Sequence, residues 1–136
     1  MDDSANDAGA LHFGRRVPFL STLGLKAGQM RQDEATVQLP FRPDLANSAG
    51  ALHGGALMGA LDFAMSAAAR AHDPGVMVAT IDMRTSFLRP AQQDTSIVAH
   101  CVQRGRSIAF CEARACNAAG ELVATASATF KLTSAS

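Results

Sequence analysis

The sequence has no excess of charge of either sign. Its 136 residues include 12 lysines and arginines and 12 aspartates and glutamates, which gives a formal net charge of zero. A general nucleic-acid-binding protein would carry a basic excess or a basic stripe, so we exclude that class. Hydrophobic residues make up 48% of the chain, which is typical of a globular protein and not of a disordered one.

Cysteine is rare and follows no pairing pattern. The chain has Cys101, Cys111 and Cys116, an odd number with no C-x-x-C spacing, so neither a disulfide framework nor a zinc site is predicted. We expect no metal and no cofactor. The first ten residues, MDDSANDAGA, are acidic and polar and lack the basic and apolar regions of a signal peptide. A reducing, cytoplasmic location is the simplest expectation.

No hydrophobic run is long enough to suggest a membrane span. The longest, residues 55–71, has 17 residues, contains Asp62 and Arg70, and consists mostly of glycine and alanine. Its apolar residues recur at spacings of three and four, which predicts a buried central helix. The apolar face of this helix includes Leu57, Leu61, Ala64, Met65 and Ala68.

A chain of this length predicts one domain, over residues 11–136, after a frayed tail at residues 1–10. Alternation of apolar and polar residues predicts strands on either side of the central helix. In the first strand after the helix, Thr80 is expected on the face opposite Ile81 and Met83. The predicted elements are a short helix within 17–25, strands at 25–30 and 34–41, a loop at 42–50, and a meander of four strands at 78–88, 94–103, 106–116 and 121–132.

These elements predict an α+β fold in which an antiparallel sheet wraps one central helix. At about 1.5 Å per residue the helix is about 25 Å long, and an eleven-residue strand at about 3.3 Å per residue spans about 36 Å. The sheet can therefore cover the helix along its whole length. Its edge strands stay open, and pairing two copies edge to edge would cover one of them. We expect a homodimer, and beyond it a dimer of dimers.

One motif runs from the loop into the start of the helix. It consists of Asn47, Gly50, the triplet His53-Gly54-Gly55 and Asp62. Together with FLRPA (87–91) and GELVA (120–124), it resembles the signature of hotdog-fold acyl-CoA thioesterases of the phenylacetate-degradation type (PaaI-like). The resemblance covers about residues 17–132. It implies the hotdog fold, a curled sheet around one long helix, and hydrolysis of an acyl-CoA thioester.

The resemblance also implies roles for the motif. The Gly54 N–H, at the positively polarised start of the helix, would bind the thioester carbonyl as an oxyanion hole does, and Gly55 would keep the approach open. Asp62 would act as general base or nucleophile. Gly54 and Asp62 are eight residues apart, about 12 Å along the helix. In the family the glycine and the acid come from different subunits, so Asp62 of one copy would meet Gly54 of the other.

Other residues have a role by resemblance and a plain structural alternative. Asn47 would orient the carbonyl or the water, or simply form a turn. His53 would lie near the thioester, or only bond the backbone at the helix start. Thr80 would position the water, or be an ordinary strand residue. Asp62 itself could be the structural partner of an arginine. Arg89, Arg104 and Arg106 could contact the phosphates of coenzyme A, or be surface charges.

Two matters stay open at this point. Phe63 follows the acid where small or hydroxyl residues are common in the family, so it could narrow the acyl pocket, and the identity of the acyl group is left undecided. The function also has alternatives. A hotdog hydratase or dehydratase would pair a catalytic histidine with a carboxylate in a different motif, and a non-catalytic acyl-CoA-binding protein would keep the cleft without turnover.

Overall fold

The computed structural model describes residues 10–134, so the predicted tail, apart from its last residue, lies outside the described residues. Within them the chain forms two α-helices, six strands and one short 3₁₀ turn, close to the predicted bounds. The helices are α1 (Pro18–Leu23) and α2 (Gly54–Ala69), and the 3₁₀ turn is Pro43–Leu45. The strands are β1 (Lys26–Arg31), β2 (Glu34–Leu39), β3 (Met77–Phe87), β4 (Thr95–Arg104), β5 (Ile108–Cys116) and β6 (Leu122–Thr133).

The six strands form one antiparallel sheet in the order β1-β2-β4-β5-β6-β3. Strands β4, β5 and β6 form a meander, but β3 lies at the far edge and pairs with β6. The prediction of a four-stranded meander was therefore wrong. After β3 the chain crosses the sheet before β4 begins. This crossing could not be predicted, because alternation along a strand indicates which side chains face inward but not which strand is its neighbour.

Helix α2 is the centre of the core. All five residues of its predicted apolar face are at most 3% exposed, which confirms that face. More than half of its residues are glycine or alanine, so its backbone can approach the sheet closely, and it packs on strands β1 to β6. No helix in residues 10–134 is long and apolar enough to cross a membrane.

Strand β6 supplies the opposite wall of the core. From Ala124 to Leu132, every second side chain is buried against the helix side of the sheet. The next strand, β5, buries the small residues between Ile108 and Cys116 and leaves Phe110 48% exposed on the outer face. The buried residues of β6 are Ala124, Ala126, Ala128, Phe130 and Leu132.

Strand β3 is an exposed edge of the sheet. It pairs with β6 along one side, and no strand among residues 10–134 covers its other side. Three of its apolar side chains, Met77, Ile81 and Phe87, are each more than half exposed. A long apolar edge of this kind favours pairing with another strand.

The alternation along β3 is broken at Ile81. The register with β6 shifts between Thr80 and Asp82, so Ile81 is the extra residue of a bulge. Thr80 pairs with buried Phe130 and therefore faces the helix. Met83 pairs with Ala128, which is also buried, so Thr80 and Met83 share the inner face. The prediction that they lie on opposite faces was wrong, because a single extra residue inverts the period of two.

Candidate active site

The start of helix α2 leaves one backbone donor unpaired. His53 is the N-cap, and its ring Nδ1 accepts a hydrogen bond from the Gly55 N–H at 2.8 Å. Its carbonyl accepts bonds from the N–H groups of Ala56 at 3.0 Å and Leu57 at 3.1 Å. Among residues 10–134, no group accepts a hydrogen bond from the Gly54 N–H. Helix starts carry a partial positive charge, so this amide is a ready donor to an anionic or carbonyl oxygen.

A side chain at position 54 would crowd a close neighbour. A Cβ atom there would lie 3.2 Å from the ring of Phe87, which comes across from the end of β3. At position 55 a Cβ would lie 3.1 Å from Nδ1 of His53 and would crowd the capping bond. The two glycines therefore let the ring of Phe87 and the imidazole of His53 sit close to the helix start. The position of the Phe87 ring beside Gly54 was not predicted, since nothing in the sequence alone brings residue 87 to residue 54.

Asn47 holds the loop that precedes the helix. Its Oδ1 accepts hydrogen bonds from the N–H groups of Ala49 at 2.9 Å and Ala51 at 3.1 Å, and Gly50 adopts a positive φ of 81° within this turn. Asn47 therefore forms the turn that its structural alternative predicts. Its Nδ2 group donates to no other residue in the described chain, so the same side chain still has two N–H donors to offer.

Asn47 and Gly54 line one cleft. The cleft has a volume of about 440 Å³ and also includes Leu57, Phe87 and Arg89. Its walls are largely apolar, with the Asn47 amide and the Arg89 guanidinium as polar groups. This combination of an apolar surface with a few directed polar groups is typical of a small-molecule site.

Asp62 lies in the middle of the same helix and is hydrogen-bonded to β3. The Thr80 hydroxyl donates to Asp62 Oδ1 at 2.8 Å, a contact that the bulge at Ile81 makes possible. Burial raises the pKa of Asp62 above its ordinary value of 3.8, and the bond from Thr80 partly opposes that increase. A half-buried carboxylate with a raised pKa is a candidate for proton transfer.

Asp62 is not the partner of an arginine within residues 10–134, where it takes part in no ion pair. The structural alternative therefore finds no support in this chain. Asp62 is also not part of the cleft that contains Gly54, as the separation of about 12 Å along the helix requires. One chain brings Asn47 and Gly54 together, and Asp62 and Thr80 together, but not the two pairs.

These features can be compared with known proteins. A family model described as the thioesterase superfamily matches residues 49–124, more than half of the chain. The chain belongs to the thioesterase superfamily. The matched region begins just before His53 and ends in β6, so it includes both the helix start and Asp62.

Individual relatives agree with this assignment. A protein of Halobacterium salinarum, named as a candidate esterase, is 32% identical over 99 residues, which are 68% of this chain and 66% of the relative. The chain thus matches just under two thirds of that relative's length. A thioesterase family protein from Silicibacter pomeroyi is 28% identical with a TM-score of 0.81, covering 86% of this chain and 90% of that one.

A third relative carries the name given by the resemblance. A mutant of the phenylacetic acid degradation protein PaaI from Thermus thermophilus is 26% identical with a TM-score of 0.77, covering 85% of this chain and 98% of that one. The hotdog fold and the likeness to PaaI-like thioesterases are therefore confirmed.

The three arginines suggested as coenzyme contacts have different surroundings in the structure. Arg89 lines the cleft beside Gly54, and its guanidinium donates to the Leu122 carbonyl at 3.0 Å. Arg106 is exposed and has no partner among the described residues. Arg104 lies at the other end of helix α2, where it donates to the carbonyls of Ala68 and Ala69 and pairs with Asp33 at 2.7 Å. The structure does not bring Arg104 to the cleft.

Phe63 is held by its own chain. Its ring stacks on Phe13 with centroids 5.9 Å apart and meets the edge of His12 at 6.1 Å. Phe13 adopts a positive φ of 52° in a tight turn to reach this position. The Phe63 ring therefore packs against the segment before helix α1.

In residues 10–134, no group of three or more histidine, cysteine, aspartate or glutamate side chains could hold a metal ion.

Proposed function

We propose that this chain hydrolyses an acyl-CoA thioester to a free acid and coenzyme A. The observation that carries the proposal is the unpaired N–H of Gly54, a residue that lines a cleft of about 440 Å³ at the start of a sixteen-residue helix. Such a donor stabilises the negative charge that develops on a thioester carbonyl oxygen during attack. Membership in the thioesterase superfamily supports the same class of reaction.

The residues around Gly54 orient the carbonyl. Two backbone N–H groups donate to Oδ1 of Asn47 and fix its side chain. Its Nδ2 group would therefore lose little conformational freedom on binding the carbonyl. His53 accepts through Nδ1, which leaves its proton on Nε2 when the ring is neutral. His53 thereby holds the helix start in shape and presents an exposed N–H donor beside it.

Asp62 supplies the second half of the reaction. As a general base it would take a proton from a water molecule, whose oxygen attacks the carbonyl carbon; the C–S bond then breaks and the coenzyme A thiolate takes up a proton. As a nucleophile its carboxylate would attack the carbon directly, and water would release the acid from the resulting anhydride. In either case Asp62 must be ionised, and the Thr80 hydroxyl at 2.8 Å supports that form.

The two halves would meet across a dimer. Gly54 and Asp62 are too far apart on one helix to act on one carbonyl, and β3 carries an unpaired apolar edge next to Thr80. Pairing two copies along β3 would cover that edge and bring Asp62 of one copy toward Gly54 of its partner. We propose a homodimer with two shared sites, with a dimer of dimers as a further assembly. The proposed phosphate contacts are Arg89, which lines the cleft, and Arg106, which is exposed in the turn between β4 and β5.

Release of free thiol from a small panel of acyl-CoA thioesters tests the reaction. A thioesterase releases one thiol for each acid formed. A hydratase or dehydratase would change the acyl chain and leave the thioester intact, and a binding protein would do neither. Absence of thiol release with every acyl group of the panel, in a folded protein, would contradict the proposal.

A mixing experiment tests the shared site. Asn47→Ala and Asp62→Ala proteins should each be inactive, and mixing them under conditions that exchange subunits should restore hydrolysis, because hybrid dimers hold one intact site. Each variant mixed with itself is the control. If subunit exchange is demonstrated and no activity returns, the site is built within one chain.

A further inference from the structure

Two of the three cysteines lie directly opposite each other on neighbouring strands. Cys101 in β4 is paired in register with Cys111 in β5, next to the pair of Ala99 and Ala113. Cys111 is 1% exposed, and Cys101 is partly exposed. The Cys101 thiol donates to the Gln103 carbonyl at 3.7 Å, and the two paired cysteines are close enough for each to influence the pKa of the other.

The direction of one amide defines the type of pair. The Cys101 N–H donates to the Asp33 carbonyl at 2.8 Å, on the side of the strand away from β5. In an antiparallel ladder, the N–H and C=O of one residue point to the same side, so Cys101 and Cys111 form a non-hydrogen-bonded pair. In such pairs the Cα atoms are about 4.5 Å apart and the side chains approach most closely. A disulfide needs a Cα separation of about 4.4–6.8 Å, which a regular pair of this type provides.

We propose that Cys101 and Cys111 are a site of oxidative modification, at which a low-molecular-weight disulfide such as oxidised glutathione converts the thiol pair into a cross-strand disulfide. The inference does not depend on the proposed hydrolase reaction. In the resting protein the pair is reduced, because all three cysteines are free thiols.

The exchange proceeds in two steps. The Cys101 thiolate attacks one sulfur of oxidised glutathione, which forms a mixed disulfide and releases one glutathione thiolate. Cys111 then gives up its proton and attacks the Cys101 sulfur, which forms the intramolecular disulfide and releases the second glutathione. The protein loses two protons and two electrons, which together equal two hydrogen atoms, and one oxidised glutathione gains them as it becomes two reduced glutathione molecules.

The order of the steps follows from exposure. Cys111 is buried in the core, so of the two paired thiols the oxidant can reach only Cys101. Burial raises the pKa of both thiols, and nearby Arg104 partly opposes that increase at Cys101. Both cysteines are therefore neutral and slow to react at neutral pH, and the first step should accelerate as pH rises toward the pKa of Cys101.

Cys116 provides a matched control within the same strand. It is half-buried at the end of β5, and its register partners are Ser96 and Leu122. It therefore has a similar exposure to Cys101 but no cysteine opposite. Oxidation at Cys116 can end only in a mixed disulfide or in a bond between two chains.

The test uses the full chain in its folded state. The protein is incubated with oxidised glutathione in mildly alkaline buffer, its remaining thiols are alkylated after denaturation, and its intact mass and disulfide-linked peptides are measured. Cys116→Ser should lose the mass of two hydrogen atoms, take up no alkyl group and contain a peptide pair that links Cys101 to Cys111, and the wild type should contain the same peptide pair. Dithiothreitol should reverse both changes.

Variants make the result decisive. Cys111→Ser, or Cys111→Ala if serine prevents folding, should stop at a glutathione adduct on Cys101. Cys101→Ser should contain no intramolecular disulfide. The proposal is overturned if the folded wild type keeps both thiols while Cys116 reacts, if Cys101 accumulates only the glutathione adduct, or if the disulfide that forms joins two chains.

Discussion

The two ends of helix α2 treat their backbone polar groups in opposite ways. At the C-terminal end, the carbonyls of Ala68 and Ala69 accept hydrogen bonds from the Arg104 guanidinium, which is itself paired with Asp33. At the N-terminal end, the Gly54 N–H has no partner among residues 10–134, and Gly54 lines a cleft. The charge of the helix dipole is thus neutralised at one end and left available at the other.

The difference shows where this fold can bind a ligand. A saturated helix end contributes to stability, because each unpaired buried carbonyl would cost free energy. An unsaturated end gives up that contribution and keeps a directed donor. The two arginines also differ in position: Arg104 pairs with Asp33 at the saturated end, whereas Arg89, which donates to the Leu122 carbonyl, lines the cleft. We therefore expect changes at the N-terminal end to affect mainly turnover and changes at the C-terminal end to affect mainly stability.

The largest effect is expected between the two ends, at Asp62. Asp62→Asn keeps the size of the side chain and an oxygen that can accept the bond from Thr80, but it removes the carboxylate. Turnover should fall by roughly a hundredfold or more, the usual scale for losing a positioned base, while substrate binding persists. Steady-state kinetics with direct binding measurements check both. Near-normal turnover together with a depressed melting temperature would remove Asp62 from the mechanism.

The same variant makes a prediction about pH and stability. Burial raises the pKa of Asp62 in the folded chain, so the folded state holds its proton more tightly than the unfolded state does. The stability from this protonated group is fully present below pH 3.8, the ordinary value, and is lost as pH rises through the folded pKa. Asp62→Asn should therefore melt at the same temperature as the wild type in acid and at a higher temperature near neutral pH.

Gly54→Ala tests the open end directly. The new Cβ would lie 3.2 Å from the Phe87 ring and would displace either the ring or the helix start by a few tenths of an ångström. We expect kcat/KM to fall by roughly tenfold, less than the ~100-fold cost of a 1 Å misplacement, with little change in melting temperature. Gly59→Ala on the same helix is the matched control, since its Cβ would meet the exposed ring of Phe19, which can move. Equal losses in both variants would point to a general effect on the helix.

Thr80→Val tests the support that β3 gives to Asp62. The hydroxyl bond lowers the pKa of Asp62 against the effect of burial, so its removal should raise that pKa further. A base must be ionised to act, and the acid limb of the pH profile of kcat/KM should therefore shift to higher pH. Thr80→Ser retains a hydroxyl and should restore the wild-type profile. An unchanged acid limb in Thr80→Val would show that the bond does not influence the reacting carboxylate.

The smallest effect on turnover is expected at the saturated end. Arg104→Met removes the bonds to Ala68 and Ala69 and the ion pair with Asp33. The free energy of unfolding should fall by about 1–3 kcal/mol, measured by urea denaturation, with unchanged turnover per folded molecule. Arg106→Met, at an exposed position, should alter stability by less than about 0.5 kcal/mol. A raised KM for acyl-CoA in Arg104→Met would instead identify Arg104 as a substrate contact.

Much of this architecture could be predicted from periodicity. The apolar spacing of residues 55–71 predicts helix α2 and its buried face, and the alternation in residues 121–132 predicts the inner face of β6; both agree with the structure. These predictions succeed because a helix or a strand must bury its apolar face wherever its neighbours lie. The motif around His53 likewise indicates the family before any coordinate is known.

Other features could not be predicted, because each depends on one added residue or on one distant neighbour. The bulge at Ile81 turns Thr80 inward to Asp62, and no local pattern marks where a strand carries an extra residue. The pairing of β3 with β6 depends on the path of the whole chain across the sheet. The use of Arg104 as a helix cap depends on where β4 ends relative to helix α2.

By itself, the sequence determined the elements, their buried faces and the chemical groups at the helix start, because propensity, period and residue type act locally. Only the tertiary structure decided which of those groups are already satisfied. It satisfies the Gly55 N–H through His53 and the Ala68 and Ala69 carbonyls through Arg104, and it leaves the Gly54 N–H without a partner among residues 10–134. A hydrogen bond requires two partners within about 3 Å, and for most of these groups the partner lies on another element of the chain.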